Sequence, residues 1–508
     1  MVLDFTRRYQ RAIFARIWAA GSAPRDHSQP ERQVHMSSES HDHRGGHHHG
    51  AHHDATHGHA HGGHGSVVHG APADVAVSYT RAFEGAVPDA GCSVVKVDLD
   101  ARETDWEFVP GHKTRAWGFN GQVPGPTIEA KVGDVVEIRL TNSLPEPTTI
   151  HWHGLQIPAA MDGTDMVQHP IMPGETFTYR FKLPDAGTFW YHPHMNETVQ
   201  LERGLYGAIV VRGPNEPTFD AERVLVIDDV ALDREGQIKP PGWWIEHHDG
   251  RQGSTKLING RQEPELTIAA GQIERWRIVN ASSARYVRLS IDGKPFTLIG
   301  TDGGLIDAPV TMKEILLAPA DRAELAVGPF AEGEGLNINA LRYDRKTAAR
   351  ARDEHFATLR VGPPAPSIAR IPAKLRDIEP LADRSFAVTR ECHLGFKLSM
   401  KHGVDFTINN EAHHRDRPVK IGELQVWDVI NDTMMDHPFH LHGFFFQVVE
   451  INGEAPAFRS WEDTVNVPPK GRVRIAWVPD DRPGEWMYHC HILEHHASGM
   501  MAHFEVVP

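Results

Sequence analysis

The chain has 508 residues, a formal charge of −15 from 67 acidic against 52 Lys and Arg side chains, and 40% apolar content. At about 100–200 residues per domain this length predicts about three globular units, and the acidic balance argues against a grip on nucleic acid or anionic lipid. No apolar run reaches the roughly eighteen residues of a spanning helix, so membrane insertion is not expected, and three cysteines (Cys92, Cys392, Cys490) are too few for a disulfide scaffold.

Residues 1–76 form a first segment. Thr6-Arg7-Arg8-Tyr9 followed by Ala12–Ala20 has the outline of a twin-arginine export signal, interrupted by Arg16. Of the 35 histidines, 14 lie between His27 and His69 in a Gly/His/Ala stretch with little to bury, which predicts a disordered tail able to bind copper, nickel or zinc. From residue 77 the chain changes to short alternating segments such as VVEIRL at 135–140 and FTYRFKL at 177–183, an all-β pattern. A repeat runs through it. Asn120, Gly133 and Asn142 recur as Asn259, Gly271 and Asn280 and as Asn409, Gly422 and Asn431, always nine residues from Gly to the last Asn. Three related β-sandwich units follow, at 77–214, 215–366 and 367–508, the last opening on a linker near Gly362–Pro366. The middle copy precedes no histidine cluster and is expected to be a spacer.

Four His-x-His triplets stand outside the tail: His151/His153, His192/His194, His440/His442 and His489/His491. Residues two apart on a strand share a face, so each triplet aims two imidazoles at one place, and eight imidazoles can surround a metal cluster. Odd spacing sends Cys490 and His437 to the opposite side. Cys490, His495 and Met500, at intervals of five, join His437 as the His₂Cys-plus-thioether set of a blue-copper electron-transfer centre. Cys490 shares a backbone with His489 and His491, so the two sites are covalently connected.

These motifs, HWHG, HPH, HPFHLHG and HCHILEHHASGMM, resemble the four signatures of the multicopper oxidases over residues 77–508. The resemblance implies three cupredoxin-like Greek-key domains and four copper ions. Type 1 copper would sit on His437, Cys490, His495 and Met500, and type 2 copper on His151 and His440. The type 3 pair would use His153, His192 and His491 on one ion and His194, His442 and His489 on the other, between the first and third domains. It further implies O2 as acceptor, reduced to water, and a periplasmic or extracellular location, with a cytoplasmic one as the alternative. Asp162, eleven residues after His151, matches an aspartate that similar bacterial enzymes keep near the type 2 copper and is expected to relay protons. Many relatives carry a glutamate directly after the second type 1 histidine. Here His496 stands there, and Glu494 would share its face only in an extended chain.

The expected activity is that of a laccase, taking single electrons from phenols, aromatic amines or similar easily oxidised organic donors through the exposed edge of a type 1 histidine. The rivals are a metallo-oxidase acting on Cu(I) or Fe(II), and copper sequestration by the tail. Remaining histidines (His112, His169, His247, His248, His413, His414) are expected at the surface or in structural hydrogen bonds. Met434 and Met435 are expected in the core, the alternative being a Cu(I) docking patch formed with Asp436 beside the type 1 site, and Trp152, Phe439, Phe444 and Trp486 are expected in the core as well. Cys92 and Cys392 are left either as a disulfide or as free thiols.

Overall fold

The computed structural model describes residues 87–508 apart from 243, 349–350 and 400–402; the export-like segment and the His-rich tail lie outside the described residues. Six sheets form three cupredoxin-like domains. Two four-stranded sheets make the first, a seven- and a five-stranded sheet the second, and a five- and a six-stranded sheet the third. No helix among the described residues is long and apolar enough to cross a membrane.

The sequence repeat is a repeat of hydrogen bonds. Asn120, Asn259 and Asn409 take left-handed backbone at φ 56°, 51° and 50°, and each Oδ1 accepts the N–H that opens the preceding hairpin, from Asp100, Val226 and His393 at 2.7 to 2.8 Å. Gly133, Gly271 and Gly422 turn the chain at φ 89°, 80° and 76°, where a β-carbon would be strained. The strand after each glycine pairs in parallel with the first strand of its own domain: Val135–Asn142 with Val94–Val109, Glu274–Asn280 with Ala221–Val230, and Gln425–Asn431 with Arg390–Ser399. Its last residue, Asn142, Asn280 or Asn431, is buried, and its Nδ2 donates to backbone carbonyls further along the chain, two for Asn142 and Asn280 and three for Asn431.

One apolar core runs without a break from the first domain (Leu99, Trp152, Phe181) into the third (Phe439, Trp477, Phe504), whereas the second has its own. Burial of Trp152, Phe439, Phe444 and Trp486 follows the expectation, as does that of Met435, but Met434 is 63% exposed. Cys92 and Cys392 are free thiols, Cys392 buried beside the Tyr488 hydroxyl. The expected linker begins later than predicted, because Gly362–Pro364 ends the strand Glu354–Pro364.

Candidate metal centre

Four strands stop at one point between the first and third domains. His151–His153 pairs antiparallel with Gly187–His192, placing His151 opposite His192, and His437–Leu441 pairs with Gly484–Cys490, placing His440 opposite His489. The alternation argument places His151, His153, His192, His440 and His489 on strands. His194, His442 and His491 instead lie just past strand ends, where the chain bends and still brings them in.

All eight imidazoles are buried. Donor atoms of His194, His442 and His489 lie within 4.8 Å of one another, and His442 Nε2 faces His489 Nε2 at 3.0 Å. Ring centroids of His153, His192 and His491 are 5.1 to 5.7 Å apart, and those of His151 and His440 are 5.8 Å apart. The sets interleave, since His151 also closes groups with His440 and His442 and with His153 and His192.

Outer partners decide which nitrogen faces inward. A carbonyl oxygen only accepts, so the Nδ1 of His151, His192, His440 and His489 must carry the proton it gives to Asp162, Pro193, Asp463 and Cys490, at 2.9 to 3.0 Å. Carboxylates hold others: Asp162 Oδ2 meets His442 Nδ1 at 2.9 Å, Glu197 Oε1 meets His194 Nδ1 at 3.0 Å, and Asp463 Oδ1 meets His153 Nε2 at 3.1 Å. On the inner side, Nε2 of His151, His192, His194, His440 and His491 and Nδ1 of His153 are buried without a partner. Burial, then neighbouring imidazoles, hold His153, His192, His442, His489 and His491 well below the usual range, so they are neutral with a free lone pair. Idle lone pairs converging in a sealed space fit bound metal ions and little else.

The second site lies on the other side of the same strand. Cys490 Sγ is 3.4 Å from His437 Nδ1 and 3.7 Å from His495 Nδ1, which are 3.2 Å apart. Met500 is buried and its carbonyl accepts the Cys490 N–H at 3.0 Å. Burial pushes the Cys490 thiol up to about 12, so it becomes a thiolate only when a cation replaces the proton. His437 is pushed down to about 3, by burial first and then by the Arg345 guanidinium and His248. His437 and His495 are both fully enclosed, which removes the expected exposed histidine edge. The cover includes the helix Trp244–Asp249, whose His248 carbonyl accepts from His495 Nε2 at 2.9 Å.

That cover belongs to the middle domain, which is therefore more than a spacer. It also supplies Arg322, fully buried, whose Nη1 donates to Asp463 Oδ1 at 2.7 Å while its second nitrogen pairs with Oδ2. Against the cost of burial, Arg322 holds Asp463 well below the usual carboxylate range. Sequence reading missed Asp463, Arg322, Glu197 and Thr433, whose hydroxyl oxygen meets His437 Nε2 at 2.8 Å. Glu197 alone carried a local signal, three residues after His194. Its other oxygen pairs with His496 Nδ1 at 2.7 Å, and the His496 ring stacks on His489 at 4.2 Å. Glu494 does not share the face of His496, because Leu493–Ala497 is helical. Of the other histidines, His112, His169 and His413 are exposed, while His247, His248 and His414 hydrogen-bond to Val404, Asp249 and Glu411.

Family profiles described as multicopper oxidase match residues 100–216, 231–329 and 389–508. A multicopper oxidase (mco) of Staphylococcus aureus is 30% identical over 429 residues, 80% of this chain and 88% of that protein. A laccase of Bacillus subtilis is 28% identical, over 77% of this chain and 90% of its own. Among solved structures, a Campylobacter jejuni multicopper oxidase described as a metallo-oxidase superposes with TM-score 0.74 at 34% identity, covering 81% of this chain and 91% of that one.

Proposed function

The chain belongs to the multicopper oxidase family, an enzyme family that binds copper and couples reducing substrates to O2, and from that premise we propose an oxidase of laccase type. Four phenolic or aromatic amine donors each lose one electron and one proton, and one O2 becomes two waters. Type 1 copper is assigned to His437, Cys490, His495 and Met500, type 2 to His151 and His440, and the type 3 pair to His153, His192, His491 and to His194, His442, His489. When bound, copper at Cys490 supplies a one-electron acceptor and the three-copper cluster supplies a store of electrons for O2.

The observation that carries this reading is the position of Cys490, whose sulfur faces His437 and His495 while the imidazoles on either side of it face the eight-histidine cluster. One strand end thus serves both sites. The remaining residues orient and seal. Asp162 keeps the protons of His151 and His442 on their outer nitrogens, and Asp463, fixed by Arg322, does the same for His153 and His440. Asp162 and the Glu197–His496 couple are the carboxylates assigned to hold protons beside the cluster. A metallo-oxidase acting on Cu(I) or Fe(II) is the second reading, favoured by the Campylobacter relative and by exposed Met434, whose thioether suits Cu(I). The export and tail-binding expectations for residues 1–76 stay as proposals alongside it.

Oxygen uptake by the copper-loaded full chain decides between them. A laccase consumes one O2 per four molecules of 2,6-dimethoxyphenol without releasing peroxide. Uptake with Cu(I) or Fe(II) but not with the phenol assigns the metallo-oxidase instead. Loss of most bound copper on removing residues 1–76, with no oxygen uptake before removal, points to sequestration.

A further inference from the structure

Both histidines of the Cys490 site are enclosed, so a donor must stop short of them. A cavity of about 350 Å3 in the middle domain, lined by Arg285, Tyr286, Tyr343, Arg345, Arg352 and Glu354, lies against that site. Tyr286 and Tyr343 stack there at 5.5 Å and 21°, and the Arg345 guanidinium sits over the Tyr286 ring at 4.9 Å. The Tyr343 hydroxyl donates to Asp436 Oδ1 at 3.0 Å, and Asp436 is the residue before His437. The Tyr286 hydroxyl donates to Asn466 Oδ1 at 2.9 Å, and Asn466 Nδ2 donates to the same Asp436 oxygen at 2.9 Å. From the stacked rings to the His437 backbone is one hydrogen bond.

The charge of the cavity sets it apart in a chain of net charge −15. Arg285 is matched by Asp229 and Glu354, and Arg352 reaches Glu354. Arg345 is only 4% exposed; its Nη1 donates to the carbonyls of Asp249 and Ala284, while Nε and Nη2 are buried without a partner. Those two nitrogens form one edge of the guanidinium, the edge that matches the two oxygens of a carboxylate. A buried cation with an idle edge is costly until an anion meets it, and the same cation repels a metal ion.

We propose that this cavity selects aromatic donors bearing a carboxylate, with the carboxylate on the Nε/Nη2 edge of Arg345 and the donor ring against the Tyr286–Tyr343 stack. The inference rests on the laccase reading and names its substrate class. Oxidation there removes one electron and the phenolic proton from the donor. The proton leaves to water at the cavity mouth, the electron passes inward to the acceptor that the family's activity supplies, and an aryloxyl radical departs.

Two donors that differ only in the carboxylate test it: 4-hydroxy-3,5-dimethoxybenzoate and 2,6-dimethoxyphenol. In Arg345→Gln the ratio of their KM values shifts about tenfold against the benzoate relative to the parent, the size expected when a charge-assisted pair is lost. Comparing variants cancels the different ease of oxidation of the two rings. Arg345→Lys, which keeps the charge but not the fork, recovers part of the shift, and an unchanged unfolding midpoint separates this from a damaged fold. Calorimetry with 3,5-dimethoxybenzoate, which has no phenol to oxidise, gives binding to the parent chain that is about tenfold weaker in Arg345→Gln; 3,5-dimethoxybenzamide serves as the neutral control. Equal binding of acid and amide, or an unchanged KM ratio, overturns the proposal. If neither phenol is turned over, the laccase reading falls while calorimetry still decides the site.

Discussion

The two buried sites on the Gly484–Cys490 strand are built to opposite electrostatic plans. Around the eight imidazoles stand the carboxylates of Asp162, Asp463 and Glu197, each touching a histidine nitrogen. Around Cys490 the holders are neutral, the Thr433 hydroxyl on His437 and the His248 carbonyl on His495, and the charges farther out are mixed, the Arg345 cation against the carboxyls of Asp436 and Glu494. A ring of anions touching the ligands stabilises a site that accumulates several metal charges; neutral holders do less to stabilise added positive charge and so favour the state with one positive charge fewer. The first plan suits a reservoir of metal ions and the second a group that takes up an electron.

The contrast breaks most completely at Cys490. Cys490→Ser replaces a soft sulfur by a hard hydroxyl, so the intense blue thiolate absorption disappears, outside donors are no longer oxidised, and about one copper of about four is lost. Cluster imidazoles are untouched by the exchange, and the remaining metal stays bound. Loss of all copper would mean that the two sites do not hold metal separately, and donor oxidation at the parent rate would remove the thiolate from the electron path.

Arg322→Met attacks the carboxylate ring from outside. Arg322 and Asp463 are both enclosed, and Asp302 also pairs with Arg322, so truncation leaves two buried carboxylates uncompensated. Breaking a buried pair in this way costs about 3–5 kcal/mol, read as a lower unfolding midpoint of the apo protein. Cluster copper is held less tightly, because Asp463 no longer fixes His153 and His440, while the blue absorption of the Cys490 site persists. Asp162→Asn is gentler. Its backbone carbonyl still accepts from His151, and the carboxylate contacts to His442 and, at longer range, to His151 change, so cluster affinity falls about 10–100-fold with little loss of stability. Equal weakening of the Cys490 site by either variant would erase the distinction between the two plans.

How much of this could be read from the sequence depends on how local each signal is. His-x-His spacing and the odd offset of Cys490 are properties of a few consecutive residues, and the strand geometry carries them over. The repeat was legible as Asn and Gly positions for the same reason, though not the parallel pairing that those asparagines frame. Asp463 and Arg322 are remote from the motifs in the chain and from each other, and an Asp just before a strand or an Arg within one reads as solvated until the fold buries it. The spacer reading of the middle domain failed on the same ground: His248 and Arg322 act through contacts across domains, and Arg345 through its charge on His437, and no spacing encodes either. The exposed-edge expectation fell with them, since the cover over His495 comes from that domain.

The finest test of the neutral plan is Thr433, and the repeat explains why. Asn142, Asn280 and Asn431 occupy the same position in the three domains, and each Oδ1 accepts the N–H of the residue two further on: Leu144, Ser282 and Thr433. Leu144 offers no polar side chain, and the Ser282 hydroxyl is buried without a partner. Only Thr433 is put to use. Its hydroxyl donates to Asn431 Oδ1 at 2.8 Å, which leaves its oxygen to accept from His437 Nε2 at 2.8 Å and so keeps the lone pair of Nδ1 toward Cys490. Thr433→Val keeps the shape and removes the hydrogen bond, for a loss of about 1 kcal/mol. Copper at Cys490 is retained, its absorption shifts because His437 is free to turn, and Thr433→Ser restores the parent spectrum. The cluster should not respond at all, because Thr433 acts on the opposite face of the strand; a change in cluster copper on Thr433→Val would show that the two faces are mechanically one.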